Sequence, residues 1–171
     1  MATIKKEMSE HAKAAKEVRN LLKANKVEAK VKASAASMTS SLHITLFDAT
    51  PWTYNAVEKE VSKYQYGSFN GMEDLYTNDN TNDLPQVKYV SVSVKFNDDL
   101  KQQALDKICE VYEIPSYTLA EAPDMLPIDH FNYPMNTASM IRSVLSESLP
   151  MYYREVKFWV KPVKRIMSVA A

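Results

Sequence analysis

Apolar and polar positions along this chain repeat with two periods, and the switches between them mark out its elements. Ile4, Met8, His11, Ala15, Val18 and Leu22 follow at steps of four and three, the spacing of one helix face, and predict a first helix over about residues 3–25. The stripe is weak at His11 and Ala15, so the early turns extend past the core or offer a contact surface, while VRNLL is the better-anchored part. In VEAKVKAS the period changes to two: Val27, Ala29, Val31 and Ala33 face one way, and Glu28, Lys30 and Lys32 the other, which is a half-buried strand. The small polar run SAASMTSS connects it to SLHITLFD, a second strand rich in β-formers, and the two read as a hairpin.

At Asp48-Ala49-Thr50-Pro51 a capping residue precedes a proline suited to the first helical position. Tyr54, Val57, Val61 and Tyr64 continue as a helical stripe, predicting a second helix that ends near Tyr66 with Gly67 in the left-handed conformation. TNDNTNDLP has turn formers and no period, so it is an exposed loop. KYVSVSVKF alternates without exception, with Val90, Val92, Val94 and Phe96 opposite Tyr89, Ser91, Ser93 and Lys95. NDD then caps a third helix with the stripe Leu100, Ala104, Ile108 and Val111 or Tyr112, stopping before Pro115. Four prolines between Pro115 and Pro134 prevent regular structure, yet Met125, Leu126, Ile128 and Phe131 are too apolar for a free linker and predict an ordered wrap. Asn136-Thr137 opens a fourth helix with Ala138, Ile141, Leu145 and Leu149, and REVKFWVKPVKRI alternates as a final strand ending at Pro162. The order αββαβααβ predicts an α+β fold: a small, mostly antiparallel sheet of about four strands against about four helices, in a single domain of residues 1–171 with an extension from about residue 115.

Composition narrows the setting. No apolar run has the length a bilayer needs and no apolar signal-peptide core follows the charged N-terminus, so a cytoplasmic protein without a membrane segment is expected. The single cysteine, Cys109, falls on the predicted core face of the third helix. The formal charge is zero but segregated: residues 1–32 carry +5, residues 48–129 carry −9 and residues 130–171 carry +4. Basic ends around an acidic middle either neutralise one another in the fold or create a dipolar surface that steers a partner.

Both glycines of the chain stand in YQYGSFNGMEDLY. On physical grounds Gly67 ends a helix, Phe69 packs back as an anchor, Asn70-Gly71 makes a turn with positive φ, and Asp74 accepts backbone N–H bonds. That is a structural plug; the alternative is a recognition loop held rigid by its aromatic residue. The same residues carry a resemblance. Arg19, Leu22 and Lys23, then Gly67, Ser68, Phe69, Asn70, Gly71, Met72 and Asp74, then Val87, Tyr89 and Val90 are similar to the pattern of the large polyvalent-protein-associated domain numbered 29, over about residues 15–95. Asn70 stands where that family commonly carries aspartate, so no charge is available there. The resemblance implies an accessory protein of a phage or mobile element, with counter-defence or nucleic-acid-associated roles, and no established enzymatic activity.

Catalytic patterns are few. His11, His43 and His130 lack the spacings of a zinc site, and two glycines so placed can form neither phosphate-cradling loop, so no metal or cofactor is predicted. Glu73-Asp74 and Asp98-Asp99 fall in a turn and at a helix start, which favours structural roles over acid chemistry. In the C-terminal run, Lys157, Trp159 and Lys161 share one strand face with Arg154, Lys164 and Arg165 nearby, where a base could stack while cations meet phosphates. The same residues suit a protected edge strand. The leading expectation is a non-enzymatic protein that binds a host or element-encoded protein partner, through the outer face of the first helix or the C-terminal strand. Nucleic-acid binding through the C-terminal strand is second, and a carboxylate enzyme using Glu73, Asp74 or Asp98 third.

Overall fold

A computed structural model describes residues 8–36, 39–70, 72, 75–78, 80, 82–128, 135–148, 150 and 153–159, with the backbone alone at 69 and 70. The fold is α+β and the chain forms two compact units. The first contains the described residues up to Ala49 and Thr53–Lys95; the second contains Thr50–Trp52 and the described part of Phe96–Arg165.

In the first unit α1 (Glu10–Ala24) leads into β1 (Ala29–Ala36) and β2 (Thr39–Phe47), an antiparallel pair with Val31 opposite Ile44 and Ala33 opposite Leu42. α2 (Pro51–Val61) begins on the proline, as its fixed φ favours, and a single 3-10 turn, Ser62–Tyr64, ends it. After a short hairpin, β3 (Ser68–Asn70) and β4 (Leu75–Thr77), the strand β5 (Tyr89–Lys95) returns parallel to β2, with Ile44 opposite Val92. A parallel neighbour requires a crossover, and the segment holding α2 supplies it. The main sheet, in order β1-β2-β5, is therefore mixed, with antiparallel pairing at β1–β2 and in the separate β3–β4 hairpin. Ala14, Val18 and Leu22 of α1 and Val57 and Val61 of α2 join Leu42, Ile44 and Leu46 in one core cluster. The sheet's other face is polar and exposed, as the alternation predicts.

Tyr64 closes this core at 8% exposure. Burial pushes its hydroxyl up to about 12, with the Glu17 carboxylate, which it also hydrogen-bonds, adding to the rise.

The second unit packs α3 (Asp98–Tyr112) against α4 (Thr137–Leu145). Asn97 is the cap of α3, accepting from the Leu100 amide at 2.7 Å, while Asp98 and Asp99 lie in the first turn, where the helix dipole favours negative charge. Asn136 caps α4 in the same way at 2.8 Å. Ala104, Leu105, Ile108 and Cys109 of α3 are buried, and burial raises the Cys109 thiol. In α4 Met140, Ile141, Val144 and Leu145 are buried and Ala138 is exposed, a face turned from the predicted one. Leu126 and Ile128 are buried in the proline-rich stretch, while Phe131 lies outside the described residues.

Two expectations are corrected. Residues 154–159 form no strand ladder; they are held by side chains, as described below. Gly67 does not take a left-handed conformation. Instead Lys26, Glu113 and Glu147 occupy left-handed positions at the ends of α1, α3 and α4, with φ of 56°, 55° and 51°, where glycine is the usual choice.

Candidate functional site

Three surfaces stand out, and the first and third carry the predicted site residues. The first is the β3–β4 hairpin. At Gly67 an added Cβ would overlap the Thr77 carbonyl oxygen and lie 2.7 Å from the Tyr76 ring. Glycine is required here because a neighbouring backbone passes where a side chain would stand. The Tyr76 hydroxyl lies 2.8 Å from the Gly67 carbonyl and 2.7 Å from that of Lys88, donating into this pair. Gln65 adds a second tie, donating to the Gly67 carbonyl at 2.7 Å and accepting from the Val90 amide at 2.9 Å. Asn80 and Asn82 bind the Lys63 carbonyl through their side-chain amides, so these parts of the asparagine-rich loop are fastened. The hairpin base is thus fixed to the head of β5. Its far end is different: Met72 is 98% exposed and Leu75 56%. Phe69 pairs with Tyr76 in backbone register. The side chains of Phe69 and Asn70, and Gly71, Glu73 and Asp74 altogether, lie outside the described residues.

The second surface is the open face of the sheet. Ser34 and Ser41 hydroxyls meet at 2.7 Å, Ser41 lies 3.1 Å from His43 Nε2, and His43 Nδ1 lies 2.7 Å from the Ser91 hydroxyl. This chain of hydroxyls and imidazole crosses all three strands. Lys30, Lys32 and Lys95 are exposed on the same face, and Tyr89 is 42% exposed. Tyr66, Tyr76 and Tyr89 pack edge to face at 5.8 and 5.9 Å, with the Lys88 ammonium 5.0 Å from the Tyr76 ring and 5.4 Å from that of Tyr89. Sequence reading placed Lys30, Lys32, Tyr89, Ser91 and Lys95 on the outer side of strands and weighed His43 only as a zinc ligand. The available signal was His43 standing in phase with serines in a strand whose alternate residues are Leu42 and Ile44.

The third surface is the C-terminal run of the second unit. Arg154 is held by α3: its guanidinium lies 5.7 Å from the Tyr112 ring and donates to the Val111 carbonyl at 3.1 Å, while its amide donates to the Tyr112 hydroxyl at 2.8 Å. Trp159 donates from its indole N–H to the Leu145 carbonyl at 2.7 Å and packs edge-on to Phe158. Lys157 is 79% exposed and 3.8 Å from Glu155. Lys161, Lys164 and Arg165 lie outside the described residues. A groove of about 610 Å³ lies in this unit, with Trp52, Tyr153 and Trp159 in its lining.

Among the described residues no group of three His, Cys, Asp or Glu could hold a metal ion, and no helix is long and apolar enough to cross a membrane. No family model, no curated protein and no solved structure matches the chain.

Proposed function

We propose that this is a non-enzymatic binding protein that captures a protein partner with the far end of the β3–β4 hairpin. The observation that carries the reading is the contrast within that hairpin, whose base is tied by Tyr76 and Gln65 while Met72 and Leu75 extend into solvent. Exposed apolar side chains on a preordered support bind with little ordering entropy, and methionine adapts its shape to a partner groove. The likeness of Gly67–Asp74 to the polyvalent-protein-associated domain adds the context of a phage or mobile-element accessory with a host or element-encoded target, and counter-defence as the purpose. Affinity capture with the wild-type chain and with Met72→Glu/Leu75→Glu tests it. The double variant should melt within about 0.5 kcal/mol of wild type, as surface changes do, and lose the captured protein. Equal capture by both chains would overturn the reading.

The open sheet face favours a second reading, binding of single-stranded nucleic acid, with Tyr89 as a stacking platform and Lys30, Lys32 and Lys95 on phosphates. Anisotropy with single-stranded DNA and RNA at about 50 and 200 mM salt should show a steep loss of affinity with salt, and loss on Tyr89→Ala and Lys32→Glu. If Trp159→Ala with Lys157→Glu abolishes binding instead, the C-terminal run is the contact, and flat titrations remove both forms.

A further inference from the structure

The groove of the second unit holds both tryptophans of the chain, Trp52 and Trp159, together with Tyr153. Its volume of about 610 Å³ is that of a small-molecule site. Trp159 is not free to turn, because its indole N–H is bonded to the last carbonyl of α4. The charges around these rings are unequal. Among the described residues, Glu147 and Glu155 line the groove against one ammonium, Lys157; Lys157 and Glu155 lie 3.8 Å apart, at 79% and 78% exposure. The C-terminal end of α4 also comes here, since Val144 and Glu147 are part of the lining, and a helix C-terminus adds partial negative charge.

We infer that this groove binds an organic cation of the quaternary-ammonium class. Aromatic rings attract a weakly hydrated cation through their negative faces, and carboxylates at the margin supply the counter-charge without displacing a tightly held water shell. An apolar neutral molecule gains only the burial term, and an anion meets two carboxylates. Free choline-like molecules and the trimethyl-lysine of a modified protein share this head group, and the experiment separates them.

Both tryptophans lie in this groove, so fluorescence excited beyond the tyrosine absorption band reports on it. The full chain is titrated with choline and with 3,3-dimethylbutan-1-ol, its neutral isostere of nearly the same shape. Choline should give a saturable change with about tenfold or greater preference over the isostere, and calorimetry should give the same ranking. Glu147→Gly is the decisive variant, because residue 147 has a left-handed φ of 51°. Glycine there relieves the backbone, so the melting temperature should hold or rise while choline affinity falls roughly three- to tenfold. Glu155→Gln should weaken choline and leave the isostere unchanged. A peptide carrying trimethyl-lysine that binds more tightly than choline assigns the head group to a modified protein; the reverse order assigns it to a small molecule. Equal binding of choline and isostere, no saturable change with either, or a Glu147→Gly chain that binds choline as wild type does would overturn the inference.

Discussion

Residues 89–95 and, within the run 154–159, residues 155–158 alternate apolar and polar side chains with the same period, and they are held in place by different means. β5 lies against β2 in continuous register from Tyr89 opposite Ser41 to Lys95 opposite Phe47. The C-terminal run has no such ladder; Tyr112 takes the Arg154 amide, the Val111 carbonyl takes the Arg154 guanidinium, and the Leu145 carbonyl takes the Trp159 indole. Alternation states that successive side chains meet different surroundings. Whether the backbone enters a sheet depends on a neighbouring strand to pair with, which β5 has in β2, whereas residues 154–159 carry no ladder.

The largest effect expected from disturbing this contrast is at the sheet side. Gly67→Ala would drive a Cβ into the Thr77 carbonyl and should destabilise the chain by about 3 kcal/mol, seen as a lower urea midpoint. Next comes pH. The folded state holds the Tyr64 proton more tightly than the unfolded chain, whose value is 10.0, so stability present below pH 10 is lost as pH rises toward about 12. The loss should be roughly 2 kcal/mol and should be absent from Tyr64→Phe.

On the side-chain-held run the effects are smaller and local. Tyr112→Phe removes the acceptor of the Arg154 amide and should cost about 1 kcal/mol, with faster amide exchange at residues 154–156 and none at β5. If β5 exchanges equally, the two regions are not held separately. The smallest change is a gain: Glu113→Gly, at a left-handed position of φ 55°, should raise stability by about 0.5 kcal/mol, visible as a higher midpoint.

The elements were legible where a period and a cap coincide. Asn97 and Asn136 start α3 and α4, Pro51 starts α2, and the faces of β1, β2 and β5 follow the alternation. The parallel pairing of β5 with β2 was not legible, because register and direction belong to two distant segments and not to either alone. Nor were the helix ends. With only two glycines available, the chain places Lys26, Glu113 and Glu147 in the left-handed region, and no local signal distinguishes those residues from exposed helical ones. Gly67 was noticed for its rarity, but its reason lies ten residues ahead in Thr77. The groove was hidden for the same cause, since Trp52 and Trp159 come together only through the fold.

The central claim is that the hairpin is structural at its base and recognises a partner at its far end. The most direct measurement places a photo-reactive amino acid at position 72, and at position 101 of α3 as a control, and irradiates each chain in bacterial lysate. The account predicts one discrete cross-linked product from position 72 and none from 101, lost on adding excess wild-type chain and retained on adding excess Met72→Glu/Leu75→Glu. No discrete product from position 72, or equal competition by the two chains, would contradict it.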